Sequence, residues 1–196
     1  AHGLPNEWFN MEYQDFLQAR RELISMTIKQ GYQVLKEGTG GHQPSAFDVN
    51  ALIQEGESSE VEFKSTLRTN LHTSQKDPKM EFAVLRTIAG FLNTHGGTLV
   101  IGVSDDGTPV GIEIDEFENE DRLLLHLANL VRDQIGGQYH MYLHTNFSEH
   151  EDAKVLAVEC AKSNAPVFVS DGKESRFFIR SGPSTSELVG YEMQNY

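Results

Sequence analysis

Hydrophobic and polar positions along this chain alternate in two periods, and each change of period marks an element. From Asn6 to Lys36, the residues Phe16, Leu17, Ile24, Ile28, Tyr32 and Leu35 recur at helical spacing among charged neighbours, which predicts a helix. Gly38-Thr-Gly-Gly-His-Gln-Pro44 breaks that pattern with the composition of a linker. A short helix is expected over Asp48 to Gln54, closed by Glu55-Gly56. Val61 and Phe63 then alternate with Glu62 and Lys64. In a strand this puts the apolar pair on one face and the charged pair on the other. Residues 65 to 78 show no apolar period and read as a long polar loop, a kind that is often functional. The helical period returns from Lys79 to Leu92, with Phe82, Leu85, Ile88, Ala89 and Leu92 on the buried stripe.

Asn93 to Gly97 ends this helix with polar residues and paired glycines. Thr98 to Val103 is a continuous apolar run, the pattern of a central strand covered on both faces. Asp105-Asp106-Gly107 reads as a turn, with Pro109 to Ile112 returning as the partner strand. A second amphipathic helix is expected over Glu120 to Ile135, ended by Gly136-Gly137. Strands follow at Met141 to Phe147, Lys154 to Cys160, Pro166 to Val169 and Arg176 to Arg180. Ser184-Thr-Ser-Glu187 reads as a capping box opening a terminal helix. Strands clustered in hairpins beside a few helices imply an α+β domain with a mixed, largely antiparallel sheet flanked by helices. That domain covers residues 47–196, after a helical extension (1–37) and a linker (38–46). The extension, with Trp8, Phe16 and Arg20-Arg21, reads as the tail of an upstream domain or as a docking or dimerisation helix.

Composition narrows the classes. At 196 residues and 38% hydrophobic content there is enough for one core plus an extension. No stretch reaches the length of a membrane span, and the start lacks a signal-peptide pattern. The single cysteine, Cys160, excludes an internal disulfide and a cysteine-based zinc site. A soluble, cytoplasmic protein is expected. The net charge of -13 opposes broad attraction to nucleic acid, but it is spread unevenly. Residues 113–121 hold Glu113, Asp115, Glu116, Glu118, Glu120 and Asp121 with no base, and read as a solvated loop and helix start. Lys64, Arg68, Lys76, Lys79 and Arg86 form the basic segment where a phosphate contact is expected.

Several chemistries are unsupported. The chain has no Walker phosphate loop, no Gly-x-Ser-x-Gly elbow and no His-Glu-x-x-His pair. His140 and His144 would share one side of a strand, with no third ligand nearby. What remains are the carboxylates Glu57, Glu62 and Asp105, with Lys64. Hard cations such as Mg2+ or Mn2+ take oxygen ligands, and a site with few carboxylates leaves room for substrate phosphate. The Glu62-x-Lys64 spacing delivers an acid and a base to one side of a strand. Equally, Asp-Asp-Gly serves as ordinary turn chemistry, and charges at strand ends are commonly just solvated.

Leu52-Ile-Gln-Glu-Gly-Glu-Ser-Ser-Glu-Val-Glu-Phe-Lys64 and Ile88-Ala-Gly-Phe-Leu-Asn-Thr-His-Gly-Gly-Thr-Leu-Val-Ile-Gly-Val-Ser-Asp-Asp-Gly107 resemble the Schlafen-type AlbA-like domain. Pro109-Val-Gly-Ile112, Ala165-Pro-Val-Phe168 and Phe178-Ile-Arg-Ser-Gly182 fit later parts of the same pattern, in order. The resemblance implies nucleic-acid binding and, as in vertebrate Schlafen proteins, metal-dependent cleavage of transfer and ribosomal RNA. By that resemblance Glu57, Glu62 and Asp105 carry over as catalytic metal ligands. Ser104 stands where an acidic residue is common, so either Asp105 or Asp106 fits the third place. The Cys/His zinc site of the vertebrate proteins has no counterpart. Those proteins join two lobes in one chain, so a single copy implies a homodimer.

The reading is therefore a nuclease dependent on Mg2+ or Mn2+, with RNA favoured over DNA. Glu57, Glu62 and Asp105 would hold the metal, Lys64 would stabilise the phosphate, and Arg68, Lys76 and Lys79 would track the backbone by charge. The rival reading is a non-catalytic nucleic-acid-binding or regulatory module fused to an upstream effector. Nucleotide binding, a third, lacks its phosphate loop.

Overall fold

The computed structural model describes residues 48–195, and the expected N-terminal helix and linker lie outside them. Helix α1 (Val49–Glu55) starts at Asp48, whose carboxylate accepts from the amides of Asn50 and Ala51. Strand β1 (Val61–Lys64) follows, then a small hairpin of β2 (Thr69–Asn70) and β3 (Gln75–Lys76) inside the expected loop. Helix α2 (Pro78–Leu92) has Pro78 in its first turn and is capped by Asp77. After it come β4 (Gly97–Ile101) and α3 (Glu120–Val131), the latter capped by Asn119. Strands β5 (Leu143–His150), β6 (Ala153–Cys160), β7 (Phe168–Ser170), β8 (Ser175–Ser181) and β9 (Ser184–Leu188) complete the described chain.

Two sheets result. The larger has the order β1-β4-β6-β5, with β1 parallel to β4 and β6 antiparallel to both its neighbours. The smaller is the antiparallel β7-β8-β9. The expected mixed α+β architecture is thus present.

Register decides which side chains meet. Glu62 lies beside Leu99 and Lys64 beside Ile101, while Val61 and Phe63 lie beside Thr98 and Val100. Leu99 and Ile101 belong to the main core, which α2 and α3 close with Leu85, Ile88, Leu92, Leu123 and Leu127. The charged pair of β1 therefore sits on the same face as the main core. Val61, Phe63 and Val100 are buried on the opposite face. There α1 is tied to β5 by a 2.6 Å hydrogen bond between Asn50 Oδ1 and His150 Nδ1.

The junction after α2 is tight. Gly96 takes φ +87°, and a Cβ there would lie 2.6 Å from the Cys160 carbonyl oxygen, so only glycine fits. The Asn93 side chain is buried and joins the helix end to the second sheet. It donates to the carbonyls of Val167 and Phe178 and accepts from the Val167 amide, each at 2.8 Å.

Two expected elements differ. Pro109 to Ile112 does not form a strand; one bridge joins Val103 to Pro109, and a 3-10 turn covers Ile112–Asp115. The reason is that β1 and β6 already occupy both flanks of β4, which leaves no edge for a hairpin partner. The expected terminal helix is instead β9, followed by a 3-10 stretch at Gly190–Asn195. Pairing with β8, from Phe177↔Leu188 to Ser181↔Ser184, overrides the local capping signal. Smaller shifts occur elsewhere. The second expected helix leaves the α-form after Val131 for a π turn at Arg132–Gly136, and Met141 falls in a 3-10 turn before β5.

Candidate functional site

Strand β1 is an edge strand, and the amides it does not give to β4 need other acceptors. Two of them find side chains: the Val61 amide donates to Ser58 Oγ at 3.1 Å, and the Phe63 amide to Glu57 Oε1 at 2.9 Å. Glu57 thus acts on the backbone of the strand that carries Glu62.

Glu62 is buried, with 8% of its surface exposed, and both its oxygens are engaged. Oε1 accepts from Lys64 Nζ at 2.6 Å, and Oε2 from an Arg180 guanidinium nitrogen at 2.6 Å. Lys64 Nζ also donates to the Phe63 carbonyl at 2.7 Å. Arg180 comes from β8 across the end of α2, and its guanidinium carbon lies 4.8 Å from the centre of the Phe91 ring. It also donates to the Ser58 carbonyl at 2.6 Å and to Thr185 Oγ1 at 3.1 Å. A buried glutamate is therefore matched by two cations, one of which fastens the Ser58 turn. Among the described residues, no buried side-chain nitrogen or oxygen lacks a hydrogen-bond partner.

The aspartate turn separates the two candidates there. Asp106 is turn chemistry: its carboxylate accepts from Ser104 Oγ at 2.5 Å and from the Thr108 amide at 3.0 Å. These hydrogen bonds, that from Ser104 first, hold its pKa down at about 2. Asp105 is exposed and makes no hydrogen bond or ion pair within the described chain. Its turn lies beside α1, where a Cβ at Gly107 would stand 3.7 Å from Ile53 Cγ2. Among the described residues, no three or more His, Cys, Asp or Glu side chains gather into a group that could hold a metal ion. Glu57, Glu62 and Asp105 as they stand do not fit one, because both oxygens of Glu62 already answer cations of the protein. The Cys160 thiol is buried, and burial first, then the charge of Glu159, pushes its pKa up.

The basic residues divide. Arg68 is used internally: it donates to the carbonyls of Asp115 and Glu116, and its guanidinium carbon sits 3.6 Å from the centre of the Phe117 ring. Asp115 in turn is fully buried, contrary to the expected solvated acidic run. Its carboxylate accepts from the amides of Leu67, Arg68 and Thr69 at 2.6, 2.9 and 2.9 Å. Lys76 and Lys79, by contrast, are exposed and form no ion pair among the described residues.

Sequence reasoning passed over Arg180 and Asp115 as site-forming residues, although each left a trace. Arg176, Phe178 and Arg180 alternate along β8, so an arginine in phase with a buried phenylalanine faces inward. Ile112 and Asp115 are three apart in a 3-10 turn, where i and i+3 lie above one another, and Ile112 is buried.

The protein-family model described as Schlafen, AlbA_2 matches residues 57–189, most of the described domain. Among solved structures, the crystal structure of the DIP2311 protein from Corynebacterium diphtheriae is similar at 20% identity and a TM-score of 0.50. That match covers 66% of this chain and 22% of the other, so this chain spans about a fifth of that protein's length. The N-terminal domain of a RecG-related protein from Nitrosomonas europaea matches at 18% identity and a TM-score of 0.46, covering 66% of this chain and 85% of that one. At such identities the likeness to DIP2311 speaks for fold alone. No curated protein matches the chain. The family match spans the β1 motif, the α2–β4 junction and the β8–β9 hairpin that supplies Arg180, and on that ground the chain belongs to the Schlafen AlbA_2 family.

Proposed function

We propose that the domain binds nucleic acid, RNA in preference to DNA, and that the β3–α2 corner makes its phosphate contacts. The observation that carries this reading is the pair Lys76 and Lys79. Both are exposed and lack an ion pair in the described chain, within a protein of net charge -13. Asp77 between them is occupied, accepting from the Lys79 amide at 3.0 Å and from Asn70 at 3.1 Å. Exposed lysines with no ion pair attract phosphate without a deep pocket. The double variant Lys76→Ala/Lys79→Ala is expected to bind labelled transfer RNA about tenfold more weakly at low salt. Its salt slope should fall by about 1.4, for two lost contacts to single-stranded segments at roughly 0.7 each. Equal affinity and slope would remove the corner from the interface.

A second reading, hydrolysis of RNA with Mg2+ or Mn2+, draws on Asp105, which is unengaged on a turn beside the helix leading to Glu57. Glu57, Glu62 and Asp105 would hold the ion, and Lys64 the phosphate. For this Glu62 must release Arg180 and Lys64. End-labelled transfer RNA and single-stranded DNA, incubated with either ion or a chelator, test it. Metal-dependent cutting lost in Glu57→Ala/Glu62→Ala would establish hydrolysis. RNA binding without cutting would leave a binding or regulatory module.

The same proposal places the domain in the cytoplasm, in a homodimer and downstream of an effector domain. No helix among the described residues is long and apolar enough to cross a membrane. Light scattering giving a monomer at every working concentration would remove the dimer.

A further inference from the structure

The structure carries a second feature, at the other end of the α2–β8 seam from Glu62. An open groove of about 720 Å³ lies between the N-terminal half of α2 and the turn joining β7 to β8. We infer that it receives an unpaired base of a single-stranded nucleic acid, with the flanking phosphates on Lys79 and Arg86. This inference rests on the nucleic-acid reading above and names the form of ligand and the place it enters.

The volume falls within the roughly 300–1,000 Å³ typical of small-molecule sites. Lys79, Phe82 and Arg86 follow one another at i, i+3 and i+7, so one face of α2 presents them together. Arg176 of β8 stands opposite. Glu187 holds its guanidinium through two nitrogens, one of them Nε at 2.9 Å. The guanidinium carbon lies 5.2 Å from the ring centres of both Phe82 and Phe178. A bidentate clamp fixes the guanidinium plane, and 33% of the side-chain surface remains exposed. Flat aromatic and guanidinium surfaces are the groups on which splayed-out bases stack.

The groove is lined by charges of both signs. Three acids also line it, but each is engaged. Glu81 meets His126 at 2.7 Å, Asp133 meets Arg132 at 2.8 Å, and Asp171 accepts from the amides of Lys173 and Glu174 at 2.9 Å. Lys79 and Arg86 have no ion pair or side-chain hydrogen bond among the described residues. Lys79 and Arg86 are thus the groove's cations without a partner, and they flank the stacking surface on the helix side. A small anion would leave that surface unused, and a duplex keeps its bases inside the stack.

The test uses a single-stranded oligouridylate containing one 2-aminopurine, whose fluorescence is quenched on stacking, with the same sequence as a duplex for comparison. The full chain is expected to bind the single strand more tightly than the duplex and to quench the probe. Lys79→Ala/Arg86→Ala should lose about tenfold in affinity, and Phe82→Leu should lose the quenching and about tenfold in affinity. Thermal melting would verify that the variants fold. Lys162→Ala, an exposed lysine outside the groove, should bind as wild type.

Wild-type binding with affinity and quenching intact in both groove variants would overturn the groove and leave the nucleic-acid reading standing. Equal loss in Lys162→Ala, or equal displacement by polyglutamate, would overturn it too, as general charge attraction or a site for acidic chains. No binding of either nucleic acid by wild type would overturn the reading and the groove together.

Discussion

Replacing Arg180 with methionine is expected to lower the unfolding free energy by about 3 kcal/mol, the low end of the cost of breaking a buried ion pair, because Glu62 then keeps Lys64 as its single cation. The side chain of Arg180 is 2% exposed and that of Glu62 11%, so water cannot step in where the guanidinium was. The Ser58 carbonyl would lose its 2.6 Å donor as well, which frees the turn carrying Ser58 and its support of β1. For a domain of this size, such a loss corresponds to a fall in Tm of roughly 10 °C. Arg180→Met/Glu62→Gln should recover part of it, because the charge made unfavourable by the first change is removed by the second. A Tm within about 2 °C of wild type for Arg180→Met would show that Lys64 alone satisfies Glu62. The single variant also bears on hydrolysis: with Arg180 gone, Glu62 is freer to accept a metal. Stabilisation by Mn2+ that is present in Arg180→Met and absent in Glu62→Gln would make the arginine an occupant of the metal position.

Asp115→Ala is expected to cost about 3–5 kcal/mol by a different route. Its carboxylate satisfies three amides of the segment that leaves β1, and hydrogen bonds to a charged acceptor are worth roughly 1.5–3 kcal/mol each, without simple additivity. Leu67 is fully buried and Thr69 nearly so, which leaves their amides little access to water when the acceptor goes. Hydrogen exchange at Leu67, Arg68 and Thr69 should accelerate before the rest of the domain responds. Asp115→Asn should fall between, since its amide keeps one acceptor oxygen and presents a donor where an acceptor is needed. If these three amides keep their protection in Asp115→Ala, the loop is held by the Arg68–Phe117 contact instead. The Lys76–Lys79 corner follows this loop, so looser binding of RNA by Asp115→Ala would connect its order to the interface.

The elements with a strong period were legible in the sequence. The α2 stripe, the buried run of β4 and the alternation of β1 each state their own burial, because a period of 3.6 or 2 places every side chain relative to its neighbours. The face on which Glu62 and Lys64 lie together followed from that alternation alone. The difference in surroundings between Asp105 and Asp106 did not. It comes from Ser104 and Thr108, which donate to the Asp106 carboxylate within the turn.

What the sequence determined by itself was therefore local: which stretches are helix or strand, which side chains share a face, and the motifs that mark the Schlafen AlbA_2 family. Tertiary structure decided the pairings between distant segments. It placed β6 rather than residues 109–112 beside β4, drew residues 184–188 into a strand against β8, and buried Asp115 under residues 67–69. It also brought Arg180 to Glu62, a partner 118 residues away. Local patterns fix the direction of a side chain but not its partner. A buried charge or an unpaired strand edge is settled by whichever complementary group the packed chain delivers.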